Sequence, residues 1–412
     1  MALGDVTDWI SEFGTPGHVW YAKRLSANDT LANNTHQAGP YIPKDFLFSI
    51  FPALNRPDIQ NPDINFDLRI DSHPDERRVR AIWYNNRLHG GTRNETRVTG
   101  FGGSSSALLD PESTGALAIF AFALDATGSA TGCRVWVCRN SSEEDLFEER
   151  MGPVEPKKFT IWRVSEAPIQ AAPQPAPATG SCRLQPAEVP PAWLLKFPSG
   201  EEIIRKVLER RPKAGLAPDE RLVKRRDCEF EVFLGLEEAF YLPKISAGFK
   251  GLDGFLGLAQ TILQSRKSRS GKSLELQVRE IFLEEGLRPD IDFAHGPVIE
   301  GGKRPDFLFP SVAAYNDPAY PAERLKMLAS KTTCKDRWRQ VLNEANRIPV
   351  KHLVTLQEGV SVNQFREMQE AGVRLVVPTS LHSSYPEAIR TQLIGLNTFI
   401  NQARVGKNER SG

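Results

Sequence analysis

Paired cysteines are the first thing this sequence lacks. Its five cysteines, Cys133, Cys138, Cys182, Cys228 and Cys334, are scattered, odd in number and never spaced as CxxC. That distribution argues against a disulfide framework and against a zinc site. The seven histidines form no HExxH or HxH pattern, so they add no metal motif. Charge of one sign is missing too, the balance being only +1, which gives no global attraction for a polyanion. Long apolar runs are absent as well. The longest uncharged one, Gly115 to Leu124, is far short of the roughly 20 residues a spanning helix needs. The opening MALGDVTDW has no basic residue and already carries Asp5 and Asp8, so no secretory leader is expected and a cytoplasmic location is.

What is present is more informative. A length of 412 residues suggests two domains. Seven prolines between Ala167 and Pro191, with alanines and glutamines, cannot bury a core and favour extended chain. The expected organisation is therefore 1–166, a tether over 167–191, a second domain over 192–406 and a tail over 407–412. In the front part, RVRAIWYN (78–85), ALAIFAFAL (116–124), CRVWVC (133–138) and KFTIWRV (158–164) read as strands of an antiparallel barrel or sandwich. In the back part, 229–242 and 272–286 read as helices, the second with Leu274, Val278, Ile281 and Phe282 on one stripe and Gly286 at its end. DFLFP (306–310), LKMLASKT (325–332) and KHLVTLQ (351–357) read as buried strands. Helices are expected over 336–348 and 386–403, which makes an α/β core.

Basic residues cluster locally at Lys224-Arg225-Arg226, at Arg266, Lys267, Arg269 and Lys272, and at Lys335, Arg337 and Arg339. Patches of this kind, rather than total charge, grip nucleic acid. Near the last of them stand Asp306, after a proline and before an apolar strand, and Lys331, at the end of the next. A carboxylate and a lysine on neighbouring strand ends are what metal-assisted hydrolysis of a phosphodiester needs. The divalent ion takes hard oxygen ligands, and the lysine orients water and offsets charge on phosphorus. The widespread PD-(D/E)xK nuclease pattern puts a second acid two residues before the lysine. Here that position is Ala329, so Glu344 is the expected replacement. On a continuous helix Arg337 and Glu344, seven residues apart, share a face, one for base edges and one for the metal. Glu275 is expected to complete the acidic cluster.

With these residues in view, the chain resembles the EcoRII-type restriction endonucleases along nearly its whole length. The resemblance is carried by KRLSANDT (23–30), TRNE (92–95), RKSRSGKSLEL (266–276), RPDFLFP (304–310), KTTCKDRWRQ (331–340) and TLQEGVS (355–361). It implies a multidomain protein, with a mainly-β, B3-like DNA-binding pseudobarrel ahead of an α/β restriction-endonuclease domain. It further implies a magnesium-dependent homodimer cutting double-stranded DNA at CCWGG, before the first C. The catalytic set carries over to Glu275, Asp306, Lys331 and Glu344, with Asp306 and Glu344 on the metal. Lys335, Asp336 and Arg337 would read C:G pairs, and Arg226 and Phe230 would hold an extruded central base. In the front domain, Lys23, Asn28, His36 and Tyr41 on one arm and Arg87, Arg93, Asn94, Glu95 and Arg97 on the other would grip a second copy of the site. That domain would restrain the catalytic one until DNA binds. The competing expectations are a DNA-binding regulator with a degenerate nuclease fold and an enzyme that nicks one strand.

Overall fold

Alternation of apolar and polar residues builds the first half of the chain. In a computed structural model that describes residues 3–33, 39–164 and 180–408, seven strands form one sheet. They are β1 (His18–Arg24), β2 (Asp63–Ile70), β3 (Asp75–Tyr84), β4 (Glu95–Thr99), β5 (Leu117–Leu124), β6 (Ala130–Val137) and β7 (Phe159–Arg163), in the order β4-β3-β2-β6-β5-β1-β7. Every pairing is antiparallel except β2 with β6. The sheet neither closes nor doubles, since β4 and β7 are its edges. The simple antiparallel barrel or sandwich is thereby corrected to a single mixed sheet, the open form of a pseudobarrel.

The reason lies in β5. Its residues 117–122 are all buried, so the strand has a core on each face, as a covered sheet requires. Ala118, Phe120 and Phe122 join Tyr21 and the α2 helix (Lys44–Ile50) through Phe46, Leu47 and Ile50. Leu117, Ile119 and Ala121 face Trp20, Trp136 and two further helices, α1 (Leu3–Phe13) and α3 (Ser141–Met151), through Trp9, Phe13 and Phe147. Arg24 of β1, buried, donates to Glu144 and Glu148 of α3 at 2.8 Å each. Removing the guanidinium would strand two buried carboxylates, a change costing about 3–5 kcal/mol.

In the second half the apolar stripes make helices. α4 (Gly200–Arg210) starts at a reciprocal cap between Ser199 and Glu202. α5 (Pro218–Ser246) and α6 (Leu252–Glu284) follow. The stripe Leu274, Val278, Ile281 and Phe282 of α6 is fully buried. Gly286, at φ +80°, accepts the left-handed turn that ends the helix. A five-stranded sheet comprises β8 (Ala294–His295), β9 (Phe307–Phe309), β10 (Lys326–Ser330), β11 (Lys351–Val354) and β12 (Val373–Val376), ordered β12-β11-β10-β9-β8. β10, β11 and β12 run parallel, and β9 runs antiparallel to β10. By compactness the chain divides into two units, the first holding residues 1–170, 357–367 and 383–391.

Four expectations are corrected here. Cys182 and Cys228 form a disulfide, which a parity argument cannot foresee because it counts cysteines without placing them. The tether splits: residues 165–179 lie outside the described ones, whereas Cys182, Leu184 and Val189 are buried against Val207, Cys228 and Val232. The helix expected over 336–348 is a short α7 (Trp338–Val341), because Ala345 adopts φ +45° and cannot continue it. The helix expected over 386–403 is two pieces, Glu387–Arg390 and Leu396–Asn408.

Candidate active site

Phe282 aligns the site. Its ring meets Phe307 and Phe309 of β9 edge-on, at 5.1 and 5.5 Å, each buried ring contributing about 2 kcal/mol. Glu275 lies seven residues earlier, nearly two turns, and so on the same face of α6. That offset carries Glu275 towards Asp306, the residue preceding β9. Because β9 and β10 are antiparallel, the start of one meets the end of the other. Asp306 Oδ2 accepts from the Ser330 backbone N–H at 2.7 Å. Lys331, one residue beyond β10, donates its backbone N–H to Val354 of β11 at 3.0 Å.

The carboxylates differ in how they are satisfied. Glu275 Oε1 accepts from Lys272 Nζ and from His295 Nε2, at 2.5 Å each. Burial pushes its proton affinity up, but those two bonds outweigh burial and hold the group below its ordinary value. Asp306 is raised, chiefly by burial and further by the nearby Glu275 charge, against the Ser330 bond and Lys331. Glu344 is pushed up to about 7, by burial first and then by Asp306, with Lys331 and Lys351 opposing. Its Oε2 is buried with no hydrogen-bond partner. Asp306, Lys331 and Glu344 thus lie within electrostatic reach of one another, and Glu275 within reach of Asp306.

Glu344 does not arrive on a helix face, as its spacing from Arg337 suggested. It sits past α7 in a turn held from several sides. Buried Lys351 of β11 donates to the carbonyls of Ala345 and Ile348 at 2.7 and 2.6 Å. Glu300 Oε1 accepts from the Asn346 N–H at 2.8 Å and the Tyr315 hydroxyl at 2.7 Å. The left-handed Ala345 costs about 1–3 kcal/mol, offset by these bonds.

Among the described residues, no three His, Cys, Asp or Glu side chains converge as a ready-made metal cage. Two hard carboxylates do converge, one with an orphaned buried oxygen, and burial raises the proton affinity of both, a cost that a cation would relieve. Magnesium binds through one or two carboxylates plus water and phosphate, so the donor set fits that ion with Asp306 and Glu344 as ligands. Glu275 stands beside this pair with Oε1 engaged by Lys272 and His295, neither bond using Oε2.

Of the residues expected to touch DNA, Lys335, Asp336 and Arg337 are half-buried in the turn between Lys331 and α7. Thr332 anchors that turn by donating to the Ser270 carbonyl of α6 at 3.1 Å. Arg226 and Phe230 stand one turn apart on α5. Arg226 is buried and donates to Glu229 at 3.1 Å, and the Arg269 guanidinium lies 5.3 Å from the Phe230 ring. The basic clusters are only partly open, with Lys224, Lys267, Lys272 and Arg339 exposed. Arg225 is buried against Glu284, and Arg266 is paired with Glu237.

In the front unit, Lys23 is paired with Asp29 at 2.7 Å, and Asn28 accepts from Asn33 at 2.8 Å. Tyr41 is 57% exposed. A cavity of about 350 Å³ is lined by Tyr41 from one arm and by Arg93 and Arg97 from the other. Glu95 takes Arg93 at 2.5 Å and Arg97 at 3.1 Å, and Arg93 lies 3.7 Å over Tyr84. Asn94 accepts from Trp83 at 2.9 Å. Arg87 is exposed, and His36 lies outside the described residues. Sequence reasoning missed His295 and Lys351. The first carried no motif, and the second sat inside a segment read only as a buried strand.

Two family models match the chain. Residues 14–166 match the family model "Restriction endonuclease EcoRII, N-terminal", and residues 233–400 match "EcoRII C terminal". The type II restriction enzyme EcoRII of Escherichia coli is 45% identical over 403 residues, spanning 97% of each chain. The type II restriction enzyme SsoII of Shigella sonnei is 30% identical over 125 residues, 29% of this chain and 40% of that one. Among solved structures, metal-depleted Ecl18kI bound to uncleaved, modified DNA aligns at TM-score 0.44 and 20% identity, over 56% of this chain and 87% of that one. The B3 domain of the UbaLAI restriction endonuclease with cognate DNA aligns at 0.27 and 22%, over 38% and 98%. No helix among the described residues is long and apolar enough to cross a membrane. The full-length identity and the two domain matches together make the chain a member of the EcoRII family of type II restriction endonucleases.

Proposed function

We propose that this restriction enzyme is a magnesium-dependent homodimer that cuts both strands of CCWGG before the first C. In this reading its front unit, 1–166, binds a second copy of the site and thereby releases the catalytic unit, 192–406, across the tether. The observation that carries the catalytic part is the pair of half-buried carboxylates, Asp306 and Glu344, with raised proton affinities beside Lys331. Full-length identity to EcoRII supports the site, the cofactor and the two-site behaviour.

Asp306 and Glu344 would hold the ion, which when bound polarises the phosphoryl group and lowers the pKa of water. Lys331 orients the attacking water and offsets charge gathering on the phosphoryl oxygens. The water oxygen bonds to phosphorus as the bond to O3′ breaks, leaving a 5′-phosphate and a 3′-oxyanion that takes a proton from solvent to become the 3′-hydroxyl. Glu275 is the remaining carboxylate, available to accept the proton that the water loses. Lys335, Asp336 and Arg337 supply donors and an acceptor suited to G and C edges. Phe230 offers a stacking face indifferent to base identity, which suits a degenerate central pair. Holding that base requires Arg226 and Arg269 to leave their present bonds to Glu229.

Digestion of plasmids with one or two CCWGG sites, with mapped ends, tests the proposal. Magnesium-dependent double-strand ends before the first C, faster on two-site DNA, are expected. Ends elsewhere would refute the specificity, single-strand nicks the double-strand action, and equal rates on both plasmids the two-site control.

A further inference from the structure

His295 has no part in the reading given so far, yet it is built into the site from three directions. Its Nε2 lies 2.5 Å from Glu275 Oε1. Its ring stacks on Phe307 at 5.2 Å with an interplanar angle of 25°. Its backbone is paired with Phe307 in the sheet, and the next residue, Gly296, donates its N–H to the Asp306 carbonyl at 2.8 Å. The imidazole is thus fixed in ring plane and in backbone position, on the strand next to the one that Asp306 begins.

An ionised carboxylate is an acceptor only, so in this contact Nε2 is the donor. Lys272 donates to the same oxygen. Neither bond uses Oε2. Lys272 is half-exposed, at 53%, and its flexible ammonium sets charge more than direction. The stacked imidazole is the directional partner.

We propose that His295 is a positioning residue, which fixes the Glu275 carboxylate through Oε1 and keeps Oε2 available to the water and ion beside Asp306. This rests on the nuclease reading above. Outer partners that orient an acidic group at a metal site are worth about 10–100-fold in affinity or activity.

Two full-length variants separate positioning from packing. His295→Phe keeps a ring to stack on Phe307 and removes the donor. His295→Gln keeps a donor and removes the ring. Three readouts apply: cleavage rate against magnesium concentration, the pH profile of that rate, and Mn2+ binding followed by electron paramagnetic resonance on DNA-free protein. H295F should cleave about 10–100-fold more slowly, need more magnesium, and show an altered acid limb, with an unchanged melting temperature. H295Q should recover most of the rate. Wild-type cleavage and Mn2+ affinity in H295F would overturn the proposal, as would H295Q being no better than H295F at equal melting temperature. Mn2+ binding needs no cut DNA. A wild-type protein that binds Mn2+ but cuts nothing would therefore refute the nuclease reading and leave His295 judged on affinity alone.

Discussion

The arms of the front unit and the acidic pair of the back unit hold their charge in opposite ways. In the front unit, among the side chains proposed to grip DNA, Glu95 pairs with Arg93 and Arg97, and Asp29 holds Lys23. In the back unit two half-buried carboxylates keep raised proton affinities despite the nearby Lys331, and one of them has a buried oxygen without a hydrogen-bond partner. A binding surface can exchange one set of polar partners for another when DNA arrives. A catalytic centre that must attract a divalent ion works better if its unfavourable charge is already assembled. Burial raises the cost of ionising the acids, and the cation relieves it.

The contrast can be broken most severely at Asp306. Asp306→Ala should slow cleavage by at least about 10³-fold while gel-shift binding to CCWGG DNA persists. Loss of binding in parallel would mean that the residue serves structure instead. Glu344 sharpens the same point through pH. With its affinity raised to about 7, the ionised form needed for metal is lost as pH falls below that value. At limiting magnesium, cleavage should therefore drop by up to about tenfold per unit of pH there. The folded chain also holds this proton more tightly than the unfolded chain, so without metal Glu344 weakens the fold as pH rises from its ordinary value through 7. Glu344→Gln should accordingly melt higher than wild type at pH 8, equally at pH 4, and cleave slowly at both.

On the front unit, Arg93→Ala removes one donor from the cavity shared by the two arms. It should weaken binding of a second CCWGG duplex by about 10–100-fold, measured by fluorescence anisotropy, and reduce the advantage of two-site DNA. Basal cleavage of one-site DNA should stay as it is. The smallest effect on catalysis is expected at the disulfide. Reducing Cys182–Cys228 opens a 46-residue loop, worth about 4 kcal/mol by chain entropy. Calorimetry should see the back unit's transition fall while the front unit's stays put.

How much of this could be read from residues follows from range. Strand β5 and the stripe on α6 were legible because a continuous apolar run and a 3.6-residue spacing are local signals. Asp306 and Lys331 were legible because each marks the end of an apolar strand. Glu344 was identified correctly as a neighbour of both but through a wrong helix. The pattern Val341, Leu342, Ala345 looks helical, whereas Lys351, drawing the carbonyls of Ala345 and Ile348, turns the chain out of it. His295 was invisible because its partners, Glu275 and Phe307, are brought to it only by sheet pairing and helix docking. Strands β1, β2 and β4 were missed, although DINFDLRI alternates polar and apolar residues strictly.

The central claim is that Asp306 and Glu344 together hold one divalent ion. Calorimetric titration of the DNA-free chain with Mn2+ at pH 6, 7 and 8, in buffers of different ionisation enthalpy, tests it most directly. The account predicts affinity that rises with pH, protons released on binding near pH 7, and loss of both in the Asp306→Asn, Glu344→Gln double variant. Unchanged affinity in the double variant, or binding without proton release, would contradict it.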